Sequence, residues 1–341
     1  MTKITKKSKL CYNSNVNENK EVRSPSDQKT TDALVSSLEI NGTPVRLSSS
    51  GADKFNQCKR SWYSRYVLGE KDTPSESSMM GTYVYSALED FYNGTERSVE
   101  NLKLQASSGW GEFVGEYTRE FKGGRSLSSR EEEELRAAVW NALDGIAHME
   151  DPSKVNVIES EMAIDMHYRG LPFRGFIDRV DQLPDGTQAI VDFKTGKAPQ
   201  KAQYFSDKLR QILLYGWALR EMDYNPSVGK LLYTTHKTTI QTDINDKAIE
   251  KVLNYLDRTI DDMHEAAETM EFPPSPSPLC GWCPLSANGC DEGKNTVLSM
   301  GRLGRLRFDA PAFKWIDDAE RAELPPPPED FYLTPNEEEF R

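Results

Sequence analysis

The sequence feature that most constrains the fold is a run of alternating apolar and polar residues broken by a Pro-Asp-Gly turn. Residues 173–197 read FRGFIDRVDQLPDGTQAIVDFKTGK. Alternation with period two is typical of β-strands, and Pro-Asp-Gly at 184–186 fits a three-residue hairpin loop with its glycine in the left-handed conformation. Pairing about the centre of that loop places Asp178 directly opposite Asp192. The sequence therefore predicts an antiparallel hairpin with two facing carboxylates.

Facing carboxylates make this hairpin a candidate cation site. Directly opposed residues have Cβ atoms about 4.5–5.5 Å apart, and two carboxylates at that distance repel each other unless a cation lies between them. Ligands that are all oxygen favour Mg²⁺ or Mn²⁺ over zinc. The alternation places Phe176 and Val180 on the face of Asp178. It places Lys194 on the face of Asp192, where an ammonium can support an attacking water and offset charge on a phosphate.

A simpler interpretation of the hairpin stays open at this point. An amphipathic hairpin with a solvated acidic face gives the same alternation. A slip of one residue in the pairing would also send one carboxylate to the opposite face of the sheet. Spacing alone therefore does not decide between a cation site and a solvated surface.

The elements around the hairpin are helices before it and mixed elements after it. Capping-box-like starts predict helices from Ser50, with Asp53 three residues on, and from Ser128, with Glu131 three residues on. Apolar periodicity adds a helix over 81–92, a strand over 155–166, a helix from Ser206, a strand over 229–236 and a helix over 246–270. This order predicts an α/β protein whose first half is mainly helical.

Composition divides the chain into five segments. Residues 1–45 are polar and without period, which predicts disorder. A helical portion over 46–150, a core over 151–272, a cysteine-rich segment over 273–295 and an acidic, proline-rich extension over 296–341 follow. The chain has no run of 18 or more apolar residues and no apolar signal core at its start, so we expect a cytoplasmic protein with no membrane partner.

The net charge of −12 neither identifies nor excludes a DNA-binding protein, because it is unevenly distributed. Residues 316–341 hold nine acidic and two basic side chains, whereas residues 1–30 hold seven basic and three acidic ones. A DNA surface must therefore be a local patch. The densest candidate is the set Lys194, Lys197, Lys201, Lys208 and Arg210.

The hairpin carries a resemblance to a known family. Asp178 stands fourteen residues before Asp192, which begins the tripeptide Asp-Phe-Lys, and GFIDRVD…IVDFKTGK resembles the core motif of RecB-like PD-(D/E)XK nucleases. The resemblance implies a restriction-endonuclease-like core, a mixed central sheet flanked by helices. It implies that Asp178 and Asp192, with the Phe193 carbonyl, hold Mg²⁺ or Mn²⁺. It also implies that Lys194 assists the attacking water.

The helix after the hairpin carries a polar flank. Lys208, Gln211 and Tyr215 fall together at i, i+3 and i+7. A solvated flank is the ordinary interpretation. The resemblance implies instead that the Gln-x-x-x-Tyr pair contacts DNA beside the metal. We therefore predict a DNA-binding set of Gln211, Tyr215, Lys197 and Lys208.

One position departs from the family pattern. RecB-like nucleases usually carry a metal-binding His on the helix before the sheet, in a context like G-T-x-x-H-x-x-L-E. Residues 81–89 read GTYVYSALE, so Tyr85 stands where the His is expected. A phenol with a pKa near 10 stays protonated at neutral pH and is a poor ligand. Glu89 or Glu161 could substitute for the His, or either could be an ordinary surface carboxylate.

Four of the five cysteines form a second constellation. Cys280, Cys283 and Cys290 follow a C-x₂-C-x₆-C spacing that favours a metal or cluster over packing. Cys58 lies far upstream and is either a buried thiol or a fourth ligand. Resemblance to AddB-type and CRISPR-associated exonucleases of the RecB-like family implies a [4Fe–4S] cluster on all four, with tetrahedral Zn²⁺ as the alternative. We expect Cys11 to bind nothing.

These expectations combine into a metal-dependent DNA exonuclease. Its expected partners are single-stranded DNA or duplex ends and proteins of recombination, replication, repair or CRISPR adaptation. Tyr85 motivates the alternative of a catalytically weak or inactive DNA-end-binding or adaptor protein that keeps the fold and cluster. A zinc-stapled scaffold without a hairpin cation is a third hypothesis. We interpret the aromatic residues of the first helix, Trp62, Tyr63 and Tyr66, as core residues, with base stacking as the alternative.

Overall fold

The computed structural model describes residues 38–71, 74–196, 198, 205–306 and 310–312, with side chains of its helix over 205–221 described from residue 208. These residues belong to one compact unit that spans residues 36–341. Several sequence predictions lie outside the described residues: those on Cys11, Lys197, Lys201 and the acidic residues of 316–341.

Strands and helices alternate along the chain much as predicted. The strands are β1 (Glu39–Ile40), β2 (Thr43–Pro44), β3 (Val157–Tyr168), β4 (Leu171–Gln182), β5 (Gln188–Lys194), β6 (Pro226–Tyr233) and β7 (Thr238–Asp243). The helices are α1 (Ser49–Gln57), α2 (Lys59–Tyr66), α3 (Glu76–Asn93), α4 (Val99–Ser108), α5 (Trp110–Phe121), α6 (Ser129–Met149), α7 (Phe205–Glu221), α8 (Asp246–Thr269) and α9 (Asp291–Arg302).

A five-stranded mixed sheet lies at the centre, in the order β3-β4-β5-β6-β7. Neighbouring strands are antiparallel except β5 and β6, which are parallel. Parallel neighbours need a crossover connection, and α7 lies within it. The architecture agrees with the predicted mixed sheet flanked by helices.

The β4–β5 hairpin has the predicted register. Val180 pairs with Ile190, and the Leu183 N–H donates to the Thr187 carbonyl at 2.9 Å. Gly186 has a φ of 86°, the left-handed conformation predicted for the loop glycine. The predicted pairing about this loop is therefore confirmed.

Two hydrophobic clusters lie against the sheet and hold different helices. One contains Ile190 together with residues of α1, α7 and α8, and the other contains Val191 and Phe193 together with residues of α3 to α6. Successive residues of β5 thus enter different clusters, as period two requires. A central strand buried on both sides is a rigid place for functional side chains.

The first helix differs from its prediction. Ser48, rather than Ser50, caps α1 by accepting the Gly51 N–H at 3.0 Å. The chain then leaves helical geometry at Cys58, which has an extended backbone with a φ of −164°, and resumes as α2. The prediction of one first helix that contains Trp62, Tyr63 and Tyr66 is therefore wrong, because the helix breaks at Cys58, whose sulfur accepts the Ser275 N–H.

Some elements were not predicted. Residues 38–45 fall in the segment predicted as disordered, but they form the β1–β2 hairpin, and Ile40 is fully buried. The turn is Asn41-Gly42, with φ angles of 52° and 74°, a dipeptide that favours such hairpins. Helices α4, α5 and α9 and strand β7 also went unpredicted. Among the described residues, no helix has the length and apolarity needed to cross a membrane.

Candidate active site

Asp178 and Asp192 lie together at the end of the β4–β5 ladder. The last pair of that ladder is Arg179 with Val191. Beyond it, the Asp178 carboxylate accepts the Phe193 backbone N–H at 2.7 Å. The Asp178 side chain thus makes a hydrogen bond to β5, which fixes its carboxylate beside Asp192. We call Asp178, Asp192 and Lys194 the carboxylate site.

Strand β4 changes its alternation at Asp178, which corrects one expectation. Ile177 and Val180 enter the same hydrophobic cluster, while Arg179 contacts residues of the other. Opposite this point, Glu161 of β3 has a left-handed backbone with a φ of 54°. Phe176 therefore does not share the face of Val180, because the irregular position lies between them.

The carboxylate site concentrates like charge in a buried place. Asp192 is 3% exposed, and burial raises its pKa, partly offset by Lys194. Burial and then the Asp192 carboxylate raise the pKa of Asp178 to about 7. Lys194 Nζ lies 2.7 Å from Asp192 Oδ2. Burial opposes the charge on Lys194, but Asp192 outweighs it, so the net pKa of Lys194 is raised and the ammonium stays charged.

These side chains fit a hard cation. Asp192 Oδ2 is buried, and the Lys194 ammonium lies 2.7 Å from it. An electron-rich oxygen in that position is suited to a divalent cation. Within the described part of the chain, however, no three His, Cys, Asp or Glu side chains converge closely enough to surround one ion. The ligand role of the Phe193 carbonyl stays a prediction.

Two further carboxylates extend the acidic cluster toward α3. Glu89 on α3 and Glu161 on β3 share a hydrogen bond. Burial and then Glu161 raise the pKa of Glu89 to about 7. Glu161 also raises the pKa of Asp178, so it interacts electrostatically with both Glu89 and Asp178. The structure therefore places both predicted substitutes for the missing His near the hairpin.

Tyr85 lies against the carboxylate site. Burial raises the pKa of Tyr85, Lys194 lowers it, and Asp192 and Asp178 raise it again. Its hydroxyl hydrogen-bonds the Thr195 side chain. The pKa of Tyr85 is raised overall, so the phenol stays protonated at neutral pH. It can donate a hydrogen bond, but it does not act as a charged ligand for a cation.

Helix α7 brings Gln211 and Tyr215 to the same region. Gln211 Nε2 donates to the Tyr215 hydroxyl at 3.2 Å. A Cβ added to Gly175 of β4 would lie 2.5 Å from the Tyr215 ring, so this position needs glycine for the ring to pack there. Asp192 and Asp178 both act on the pKa of Tyr215, which burial raises.

The predicted basic patch is only partly assembled. Lys208 is exposed on α7. Arg210 instead forms an ion pair with Asp53 of α1 at 2.5 Å and lies over the Tyr255 ring, 4.1 Å from its centroid. Arg210 therefore links α7 to α1 and α8, because its position on the helix turns it away from the Gln211 flank.

Sequence reasoning missed a buried ion network beneath the site. Arg179 is 1% exposed and forms ion pairs with Glu150 and Asp181. Its guanidinium lies 4.3 Å from the ring centroid of Tyr92 and 5.5 Å from that of Phe193. The sequence signal for this network was a charged residue, Arg179, opposite Val191 on a strand whose pattern is typical of a buried core. Arg179 supports Phe193 and hence the strand that carries Asp192.

The four cysteines predicted as ligands, Cys58, Cys280, Cys283 and Cys290, are called the cysteine site, and in the described part of the chain they do not converge closely enough to surround one ion. Each sulfur accepts a backbone N–H, in that order from Ser275, Ser277, Leu285 and Gly293. The sulfurs also act on one another: Cys58 and Cys280 raise the pKa of Cys283, after burial. These amide donors favour thiolates, the form that binds metals, but burial outweighs them and raises the pKa of Cys283 and Cys290.

The comparisons with known proteins agree with the family that the hairpin motif indicates. A family model described as the PD-(D/E)XK nuclease superfamily matches residues 46–288. An ATP-dependent helicase/deoxyribonuclease subunit from Streptococcus mutans is 27% identical, over 61% of this chain and 20% of its own length. The protein of the same name from Streptococcus agalactiae is 25% identical, over 56% of this chain and 18% of its own. The chain thus spans about a fifth of these relatives.

A solved structure adds a distant likeness. A crystal structure described as an exonuclease from Eubacterium rectale has a TM-score of 0.42 and 13% identity, over 70% of this chain and 86% of that one. That likeness is too distant to bear on the fold. The family model covers well over half of the chain and confirms the family predicted from the hairpin motif. The chain belongs to the PD-(D/E)XK nuclease superfamily.

Proposed function

We propose that the chain is a divalent-metal-dependent DNA exonuclease that acts on single-stranded DNA or DNA ends. The observation that carries the proposal is the buried pair Asp178 and Asp192 with Lys194 beside it. Relatives named as helicase/deoxyribonuclease subunits support DNA as the substrate. Partners in recombination, replication, repair or CRISPR adaptation belong to the same proposal.

Asp178 and Asp192 would hold Mg²⁺ or Mn²⁺, with the Phe193 carbonyl as a third oxygen. The burial of Asp192 beside Asp178, with like charge concentrated there, supports this assignment. Glu161, which raises the pKa of Asp178, and Glu89, which shares a hydrogen bond with Glu161, are the further carboxylates proposed for the set. When bound, such an ion would polarise a phosphoryl oxygen and make water a better nucleophile at neutral pH.

The remaining side chains position the reactants. Lys194 stays charged, so it acts as a hydrogen-bond donor that orients the attacking water and offsets charge on the phosphate. Gln211 and Tyr215 hold each other through one hydrogen bond and would contact the DNA backbone. Lys208, exposed on α7, would add positive charge for the DNA backbone, and Lys197, which lies outside the described residues, belongs to the same proposed set.

Both the helical portion and the core are needed for this function. Residues 46–150 contribute Tyr85 and Glu89 through α3, while residues 151–272 contribute the hairpin and α7. The proposed segment boundaries therefore do not divide the active site into independent units. Removal of α3 would expose the carboxylates and lower their raised pKa values.

The cysteine site would hold a [4Fe–4S] cluster, with Zn²⁺ as the alternative. Four sulfurs that each accept an amide N–H support thiolate ligation. The cluster would tie Cys58 to a segment more than 200 residues later and act as a structural link. Brown colour with bound iron supports the cluster, whereas colourless protein with bound zinc supports the alternative.

Cleavage of end-labelled DNA tests the proposal. Purified protein, with Mg²⁺ or Mn²⁺, should release short products from labelled single strands or duplex ends, and chelation should stop it. A protein that binds ends but leaves every substrate intact would instead be the adaptor that Tyr85 motivates. Labels on the 5′ and 3′ ends in parallel would also give the polarity.

A further inference from the structure

Phe176 is an exposed aromatic side chain beside the carboxylate site. It is 57% exposed, more than any other aromatic residue in the described part of the chain. Single exposed apolar residues are ordinary on protein surfaces. This one lies two residues before Asp178 on β4, about 7 Å away along a strand. Its position, rather than its exposure alone, calls for an explanation.

The ring points away from α7, to the face of β4 opposite Gly175 and Ile177. Ile177 belongs to the cluster that holds α7, and Gly175 packs directly beneath the Tyr215 ring of that helix. Strand alternation therefore turns Phe176 to the opposite face. There its partner on β3 is Ala163, a small and exposed residue. Glu161, two residues before Ala163, interacts with both Glu89 and Asp178.

The backbone of Phe176 is fixed by the proposed DNA-contacting pair. Its N–H donates to the Tyr215 hydroxyl, which also accepts from Gln211 Nε2 at 3.2 Å. The ring is therefore carried by a firmly held strand position, although it is itself free of tight packing. Because its backbone is held in place, an exposed ring at this position loses little conformational entropy when a flat ligand stacks on it.

We propose that Phe176 is a base-stacking residue that receives the nucleobase next to the scissile phosphate of a single strand. The inference rests on the proposed function and deepens it by naming single-stranded DNA as the substrate. Both faces of a base inside a duplex are covered by its neighbours, so away from a duplex end the ring can stack only on a base that has left the helix. Stacking has little sequence preference, because every base has a flat face.

Two substitutions and a fluorescent oligonucleotide test this assignment. The probe is a 12-nucleotide oligo-dT in which 2-aminopurine replaces one thymine, at each position in turn. Binding is measured in a buffer that contains Ca²⁺. Wild-type protein should quench the probe at one main position, Phe176→Trp should retain that quenching, and Phe176→Leu should lose it. The dissociation constant of Phe176→Leu should rise about tenfold. Leu104→Ala, at an exposed residue of α4, is the matched control.

The outcomes separate this inference from the proposed nuclease activity. Stacking that is observed without any cleavage in Mg²⁺ or Mn²⁺ keeps the inference and rejects the nuclease. Cleavage with a Phe176→Leu variant that binds and quenches like wild type overturns the inference and keeps the nuclease. Equal quenching of a 2-aminopurine inside a 12-base-pair duplex would also overturn it, as would a wild type that does not bind the single strand.

Discussion

The carboxylate site and the cysteine site are built in opposite ways. Asp178 and Asp192 lie on adjacent strands whose pairing fixes them, and Asp192 is almost fully buried. Cys58 instead meets a segment 217 residues further on, through a hydrogen bond from Ser275. The described structure of that segment between residues 273 and 290 consists of two 3-10 turns, Pro278–Trp282 and Pro284–Ser286.

The two sites should therefore differ in what their loss affects. The sheet holds two like charges together whether or not a cation is present, so the hairpin is stable in spite of its site. The cysteine segment has few other attachments to the core, one being Phe272 stacked 4.4 Å from Tyr63. Its position should therefore depend on what the four sulfurs bind. The carboxylate site should affect activity, whereas the cysteine site should affect stability.

The largest expected effect is loss of activity in Asp192→Asn. Removal of a central cation ligand should lower cleavage on the order of a thousandfold. The melting temperature should hold or rise, because the substitution removes like charge from a buried place. Cleavage assays and circular dichroism melting measure the two effects. Asp165→Asn, on an exposed part of β3, is the control, and an Asp192→Asn variant that cuts like wild type would contradict the assignment.

The next effect is loss of structure in Cys283→Ser. If the four sulfurs hold the proposed cluster, its loss should open the link between Cys58 and the C-terminal segment, and closure of so long a loop is worth roughly 5 kcal/mol in chain entropy. Visible absorption should disappear and proteolysis should begin within residues 273–302. Cys11→Ser should change neither readout. Equal protease resistance in Cys283→Ser would show that the segment does not depend on its sulfurs.

The third effect is a pH dependence of stability in metal-free protein. Asp178 and Glu89 have pKa values raised to about 7, whereas unfolded carboxyl groups titrate near 4. The folded state therefore binds more protons between about pH 4 and pH 7, so the free energy of unfolding falls as pH rises through that window. In Asp178→Asn the free energy of unfolding should fall less steeply with pH. Addition of Mn²⁺ at pH 8 should restore the free energy of unfolding of the wild type. Stability that rises over this window would contradict the burial of the pair.

The smallest effect concerns Tyr85. A neutral imidazole is a cation ligand, so Tyr85→His should raise Mn²⁺ affinity, by about tenfold if it ligates directly. Tyr85→Phe loses the hydrogen bond to Thr195 and should leave Mn²⁺ affinity within a few fold. Calorimetric titration of both variants measures the difference. Equal Mn²⁺ affinity in both variants would show that this side chain does not reach the cation.

Local pattern sufficed for the hairpin. The Pro-Asp-Gly loop fixes the register, and the register places Asp178 near Asp192. The capping box of Ser128 and Glu131 likewise gave the start of α6 correctly. In both cases the determining residues lie within a few positions of each other, so the sequence contains the whole cause.

Tertiary contacts explain what sequence pattern missed. The first helix breaks at Cys58, whose sulfur accepts the Ser275 N–H, and Ser275 is a partner that no local window contains. The change of alternation at Asp178 depends on Glu161 in the neighbouring strand. Arg179 is buried because Glu150, at the end of α6, supplies the opposite charge. Each depends on a residue distant in sequence.

Mn²⁺ binding by the intact protein tests the central claim most directly. Calorimetric titration at pH 8, where Asp178 is ionised, should show saturable binding in wild type and none in Asp192→Asn, although metal-free Asp192→Asn melts no lower than wild type. The cleavage of single-stranded DNA should saturate over the same Mn²⁺ range. Binding of equal strength in Asp192→Asn would contradict the claim that the paired carboxylates hold the cation.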